Sequence, residues 1–165
     1  ECLVSAYAHT YGLHTVITRS TNNYGRYQYP EKLIPMVLKN ALQAQPIPLH
    51  GDGSSIRDWL HVEDHCRAID CIFHKGQIGQ SYNIGANEEW TNLEITWMIC
   101  QILDRLKPLS GRSYTSFIRF TTERIGQDRR YALDCTKIKE TLGWAPSIAL
   151  QEGIEHLVRS EIEQD

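Results

Sequence analysis

Two adjacent carboxamides, Asn22 and Asn23, follow directly on the β-branched run His14–Ser20 (HTVITRS). In an open α/β sheet, ligands bind beyond the carboxyl ends of the strands. Paired amides there can hydrogen-bond a sugar hydroxyl, a phosphate or a nicotinamide, and the same pair also suits a plain Asx turn. Lys32 stands at the start of a helix expected over Glu31–Ala44, a place the helix dipole makes unfavourable for a cation. It meets either an anion or only solvent. Arg57 falls in an extended stretch between the turn Gly51-Asp52-Gly53 and a following helix. A guanidinium held there suits a diphosphate, or pairing with Asp52 or Asp58. Pro48, Leu49 and His50, just before the turn, can wall a nucleobase. Glu123–Tyr131 (ERIGQDRRY) interleaves arginines with carboxylates, either as a loop that closes over phosphates or as a solvated charged surface.

Several self-contained catalytic devices are missing. There is no glycine-rich dinucleotide turn, no Walker A loop, no G-x-S-x-G elbow and no Tyr-x-x-x-Lys spacing. His61 and His65 are spaced as a helix-entry residue and a helix-face residue, and no third ligand is placed beside them, so no metal site is expected. The 5 cysteines are scattered without a C-x-x-C pair, which suits reduced thiols and a cytoplasmic setting. With 17 basic and 20 acidic residues among 165, the net charge of −3 argues against a general nucleic-acid binder. An apolar share of 41% is ordinary for a globular chain. No apolar run is long enough to span a membrane, and residues 1–20 lack the basic-then-apolar order of a signal peptide.

These groups must be positioned by an alternation of helices and strands. Residues 2–11 read as a helix without an N-cap, and His14–Ser20 as a strand buried in a parallel sheet. Thr21–Pro30 reads as a loop. The helix over Glu31–Ala44 tolerates Pro35 in its first turn. Pro46–His50 and Ile56–Val62 read as extended. Glu63–Lys75 reads as a helix with Cys66, Ile69, Ile72 and Phe73 on its inner face. Ser81–Ile84 reads as a strand. A helix capped by Thr91 or Asn92 runs to about Arg105 and turns Ile95, Ile99, Ile102 and Leu106 inward. Lys107–Thr115 reads as a loop, Phe117–Phe120 and Arg130–Leu133 as short strands, and Thr136–Leu142 as a helix stopped by Gly143. A last helix carries Ile154, Leu157, Val158 and Ile162. The fold class is α/β. Only two segments read as central parallel strands, too few for a doubly wound sheet, and the first helix begins at Glu1 without a cap. The chain is therefore expected to be part of a larger protein.

Taken in order and spacing, TRSTNNYGRYQYPEKLIP, PLHGDGSSIRDWLHVEDHCRAI, GQSYNIG and RIGQDRRYALD resemble the nucleotide-sugar 4,6-dehydratases, which are extended short-chain dehydrogenases/reductases. The similarity runs from Glu1 to about Gly153. The R-D-x-x-x-V-x-D pattern recurs across the wider class, whereas NNYG followed by YPEKLIP is more specific to the dehydratases. The resemblance implies a C-terminal substrate-binding portion over residues 1–165, without the N-terminal dinucleotide-binding half. Residues 1–21 and 79–106 would pack on the Rossmann sheet.

The implied chemistry uses NAD to oxidise C4 of a dTDP- or UDP-linked hexose. Water then leaves across C5–C6 and hydride returns to C6. The family's catalytic tyrosine, lysine and acidic pair would precede Glu1, leaving no catalytic residue here and an inactive fragment. By motif, Asn22, Lys32, Leu33, Pro48, Leu49, His50, Arg57, Asn92, Arg124 and Gln127 would bind the nucleotide sugar, and Asn23 the cofactor. The helix at residues 1–11 would help form a homodimer. Three departures from the family pattern stand out: His50 replaces a tyrosine or similar group, Ile125 and Gln127 change the arginine loop, and Arg26 replaces a proline. Two rival readings are a UDP-sugar epimerase or decarboxylase, and a non-catalytic nucleotide-sugar-binding module.

Overall fold

A computed structural model describes residues 1–163. The elements in order are α1 (Cys2–Tyr11), β1 (Ile17–Ser20), β2 (Asn22–Tyr24), α2 (Leu33–Leu42), β3 (Ile47–His50), β4 (Ile56–His61) and α3 (Val62–Lys75). There follow β5 (Ser81–Ile84), β6 (Glu89–Thr91), α4 (Asn92–Leu106), a 3-10 turn at Tyr114–Phe117, β7 (Ile118–Thr121), β8 (Arg130–Tyr131), α5 (Thr136–Leu142) and α6 (Leu150–Ile162). The α/β class holds, and the order is close to that expected. No helix among the described residues is long and apolar enough to cross a membrane.

The strands form three small groups. β1 pairs parallel with β5, β3 parallel with β7, and β4 lies between β2 and β6, with β8 pairing along Ile56 and Arg57 on the edge opposite β6. The chain crosses between groups at Thr21: its N–H still donates to the Ile84 carbonyl (3.0 Å), while Asn22 already stands opposite Trp59 of β4. Thr21–Pro30, expected as a loop, therefore contains a three-residue strand. Its residues carry no apolar alternation, and pairing with β4 alone makes it extended. β1 also differs from expectation. It starts only at Ile17, and Thr18 and Arg19 are exposed, because β5 is its single partner among the described strands.

Two cores meet at β4. Trp59 packs with Tyr24, Ile34, Val37, Ile95, Ile99, Leu150 and Ile154 between α2, α4 and α6. Leu60, the next residue, faces the other way into Ala68, Ile72, Tyr82, Ile84 and Ile138. Each fully buried Ile or Leu contributes about 2 kcal/mol. α4 turns Ile95, Ile99 and Ile102 inward as expected, with Leu106 half-buried. Its Thr91 cap is a full capping box, in which the hydroxyl accepts from the Glu94 N–H (3.1 Å) and the Glu94 carboxylate accepts from the Thr91 N–H (2.8 Å). α1 buries no residue and leaves Leu3, Tyr7 and Tyr11 exposed.

α3 turns a different face inward from the one its apolar residues suggest. Asp64, Ala68 and Ile72 are buried, whereas Cys66 and Ile69 are exposed and Phe73 is 82% exposed. Asp64 decides the rotation. Its carboxylate accepts from the N–H groups of Ser147 and Ile148, both at 3.0 Å, and from Arg67. It thereby ties α3 to the chain entering α6. At that helix Gly153 lies so close to Tyr24 of β2 that any side chain would overlap the Tyr24 hydroxyl. His61 closes the first turn of α3, its Nδ1 accepting from the Glu63 N–H (3.3 Å), with burial holding the imidazole below its usual pKa. It is the helix-entry residue expected. All 5 cysteines are free.

Burial pushes the Asp64 pKa up, but Arg67 and the two backbone donors outweigh it and hold the group below its ordinary 3.8. A carboxyl depressed in the folded state stabilises fully above its unfolded pKa and loses that contribution as pH falls through the folded one. Asp64→Asn is expected to cost about 3 kcal/mol at pH 7, because it leaves buried donors without an anion. In urea melts, the gap to the parent should narrow only below about pH 4. A gap that is unchanged from pH 7 to pH 3 would refute this account.

Candidate nucleotide-binding cleft

A cleft of about 750 Å³ opens where β2, β3, β4 and the starts of α2 and α4 converge. Small-molecule sites usually measure ~300–1,000 Å³, so the cleft can take a ligand the size of a nucleotide sugar. The structure brings every residue expected to bind ligand to this one wall: Asn22, Asn23, Lys32, Leu33, Pro48, Leu49, His50, Arg57, Asn92, Arg124 and Gln127. Four further lining residues, Gln28, Glu31, Met36 and Trp59, escaped the sequence reading. Trp59 and Glu31 lie inside the recognisable stretches but read only as part of an extended piece and as a helix start. Gln28 also lies inside one of these stretches but read as part of a loop, and Met36 falls just beyond it.

Each side chain is delivered by a local feature. β4 puts Arg57 on the cleft and the next residue, Asp58, wholly inside. The Asp58 carboxylate accepts from the N–H groups of Ala86 (3.1 Å) and Glu88 (2.8 Å). Gly85 packs directly against it, and a Cβ there would overlap the carboxylate. Asp58 is thus committed to the backbone, and Arg57 to neither Asp58 nor Asp52. Arg57 donates instead to the carbonyls of Ile56 (2.6 Å) and Asp128 (2.8 Å). Two backbone acceptors fix the guanidinium without neutralising it.

Lys32 is the N-cap of α2, and its side chain makes no cap bond. The N–H groups of Leu33 and Ile34 lie in the first turn, where a helix leaves its donors unpaired, and Pro35 follows as expected in that turn. That end favours an anion. On β3, Leu49 is buried and Pro48 half-buried, while His50 is exposed and held by contacts from Nδ1 to the Thr122 carbonyl (3.1 Å) and the Thr121 hydroxyl (3.2 Å). Asn92 opens α4, its N–H donating to the Ser55 carbonyl (3.0 Å).

Residues 122–129 lie on the surface and carry Arg124 and Gln127 to the cleft. The segment is pinned at its ends. Arg57 holds Asp128, Gln127 reaches the Ser55 hydroxyl (3.4 Å), and Arg130 grips Glu89 through two bonds of 2.6 and 2.7 Å. Arg130 is thereby satisfied at the surface, while Arg124 faces the cleft.

The asparagine pair separates in role. The Asn23 amide donates to the Ser20 hydroxyl (2.8 Å) and the Thr21 carbonyl (3.1 Å), yet its Oδ1 is buried without a partner. Gln28 donates through Nε2 to the Asn23 carbonyl (2.8 Å), and its Oε1 is likewise buried and unpartnered. An unpaired buried acceptor costs about 1–3 kcal/mol, so both oxygens call for a donor. Among the described residues, no group of three or more His, Cys, Asp or Glu is arranged to hold a metal ion.

The family described as GDP-mannose 4,6 dehydratase matches residues 1–157. A dTDP-glucose 4,6-dehydratase of Xanthomonas campestris pv. campestris is 47% identical over 157 residues, spanning 94% of this chain and 45% of that protein. One of Haemophilus influenzae is 48% identical over 160 residues, spanning 95% and 47%. The chain thus spans about half the length of these curated relatives. The crystal structure of dTDP-glucose 4,6-dehydratase from Bacillus anthracis in complex with NAD superposes with a TM-score of 0.87 at 43% identity, over 98% of this chain and 49% of that one. A UDP-glucose 4-epimerase from Thermotoga maritima with UDP-glucose gives a TM-score of 0.84 at 26% identity, over 99% and 50%. The fold is that of the C-terminal half of an extended short-chain dehydrogenase/reductase, and the chain belongs to the GDP-mannose 4,6 dehydratase family of nucleotide-sugar 4,6-dehydratases.

Proposed function

We propose that this chain supplies the nucleotide-sugar pocket of an NAD-dependent dehydratase that converts dTDP-glucose to dTDP-4-keto-6-deoxyglucose and water. One observation carries the reading: Lys32, Arg57, Arg124 and the N-terminus of α2 surround a single cleft. Three cations and a helix terminus suit a diphosphate. Arg57 is the fixed element, because its two backbone acceptors orient it before ligand arrives, so little rotamer entropy is lost on binding. Lys32 and Arg124 add charge from a helix start and from the surface loop. Pro48 and Leu49 wall the base, with His50 at its edge. Asn92 reaches the ribose or phosphates, Gln127 extends the loop contact, and Asn22 orients the hexose.

Asn23 is the residue of this chain that faces the cofactor, and its orphaned Oδ1 fits a donor such as a carboxamide N–H. NAD, when bound, takes hydride from the hexose and returns it. The sequence offers no tyrosine spaced before a lysine for proton transfer. The reading therefore assigns proton movement to another part of the protein, and to this chain the tasks of binding and orientation. Residues 1–21 and 79–106 would pack on the dinucleotide-binding sheet. α1, with Leu3, Tyr7 and Tyr11 exposed, would meet a second copy, and a cytoplasmic setting fits the free thiols. The Thermotoga likeness favours one alternative, an epimerase acting on a UDP-sugar.

Calorimetry on the full-length protein separates these readings. dTDP should bind more tightly than UDP, and Arg57→Ala should weaken dTDP about 10- to 100-fold with little change in melting temperature. Equal dTDP affinity in the variant would refute the role of Arg57, and preference for UDP would favour the epimerase. The 165 residues alone, given NAD and dTDP-glucose, should show no turnover. Product above background would overturn the division of labour.

A further inference from the structure

We propose that Gln28 is a ligand-reading residue of this cleft, accepting a hydrogen bond from a neutral donor on the bound hexose or on the nicotinamide carboxamide. The inference rests on the reading of the cleft as a nucleotide-sugar pocket. Gln28 lines the same wall as Asn22 and Lys32. Its Nε2 is committed to the Asn23 carbonyl at 2.8 Å, which leaves Oε1 as the free end, buried and without a partner. The adjoining Asn23 Oδ1 is in the same condition.

The backbone supports a built feature. Tyr27, the preceding residue, holds φ at 63° and is 95% exposed, so a non-glycine residue occupies the left-handed region without burying its own side chain. The turn therefore gains nothing from Tyr27 packing inward, and its effect is to return the chain with Gln28 facing Asn23. Arg26 stacks on the Tyr27 ring from outside, at 5.4 Å. Among the charged residues lining the cleft, Lys32, Arg57 and Arg124 suit phosphates, and Glu31 is the one carboxylate. Two orphan acceptors in one corner therefore select a neutral donor, and either a sugar hydroxyl or a carboxamide N–H supplies one.

The test uses the full-length protein and three probes: dTDP, dTDP-glucose and NAD. Gln28→Met keeps the length of the side chain and removes both hydrogen bonds. It should bind dTDP as the parent does and lose about 3- to 10-fold on one other probe. Loss confined to dTDP-glucose assigns the oxygen to the hexose, and loss confined to NAD assigns it to the carboxamide. Gln28→Glu keeps an acceptor but not the donor to Asn23, and should recover part of the same loss. Equal weakening of all three probes, or no weakening of any, overturns the proposal, as does a Glu variant as impaired as the Met variant. A parent that fails to bind dTDP-glucose defeats instead the reading of the pocket.

Discussion

The alternation of side chains along β4 is the constraint on which the rest of the molecule depends. Arg57 faces the cleft, Asp58 the backbone of the 86–88 turn, Trp59 one core and Leu60 the other. In a strand, a slip of one residue turns every side chain to the opposite face. Here such a slip would put a carboxylate where phosphates are expected and drive a guanidinium into a dry interior. The register is held from both sides. β2 pairs along Trp59–His61, β6 along Ile56–Asp58 and β8 along Ile56 and Arg57. Both cores reinforce it, since neither Trp59 nor Leu60 fits the space of the other.

That geometry gives the R-D-x-x-x-V-x-D pattern a physical meaning. Of its three charged positions only Arg57 reaches the cleft. Asp58 and Asp64 are buried acceptors, the first holding the turn after β5 and the second holding the entry to α6. Asp58 and Asp64 are thus spent largely on the backbone and Glu89 on Arg130, and Glu31 is the one carboxylate among the described residues that line the cleft. The cations that line it keep their field for a ligand. Electrostatic selectivity arises from where the acidic groups are used as much as from where the basic ones stand.

Much of this was legible before the fold was known. Strong helical periodicity located α2, α4 and α6, and residue type narrowed the α4 cap to Thr91 or Asn92, of which the structure uses Thr91. All the expected ligand-facing residues but Asn92 fall in three contiguous stretches whose spacing carried a resemblance, so they emerged together. What failed shares one cause. β2 is three residues of Asn, Asn and Tyr with no apolar rhythm, extended only because β4 lies beside it. The inner face of α3 follows a buried aspartate, not its largest apolar groups, because hydrogen bonds from Ser147 and Ile148 outweigh the burial of Phe73. Gln28 was invisible because its importance lies in an unfilled hydrogen bond, which no residue pattern records.

Gly153 extends this dependence to the far end of the chain. It belongs to α6, well away from every cleft residue in sequence, yet the Tyr24 ring occupies the space its side chain would need. Tyr24 ends the strand that begins with Asn22 and Asn23. The last helix therefore works as a backstop for that strand. Its solvent face is free to drift through evolution, while a single methyl group added on the inner face would be transmitted along β2 to the amides. Inherited change in α6 should accordingly fall into two classes, silent on one side and disabling at one point on the other, with the disabling change arising where no ligand is ever touched.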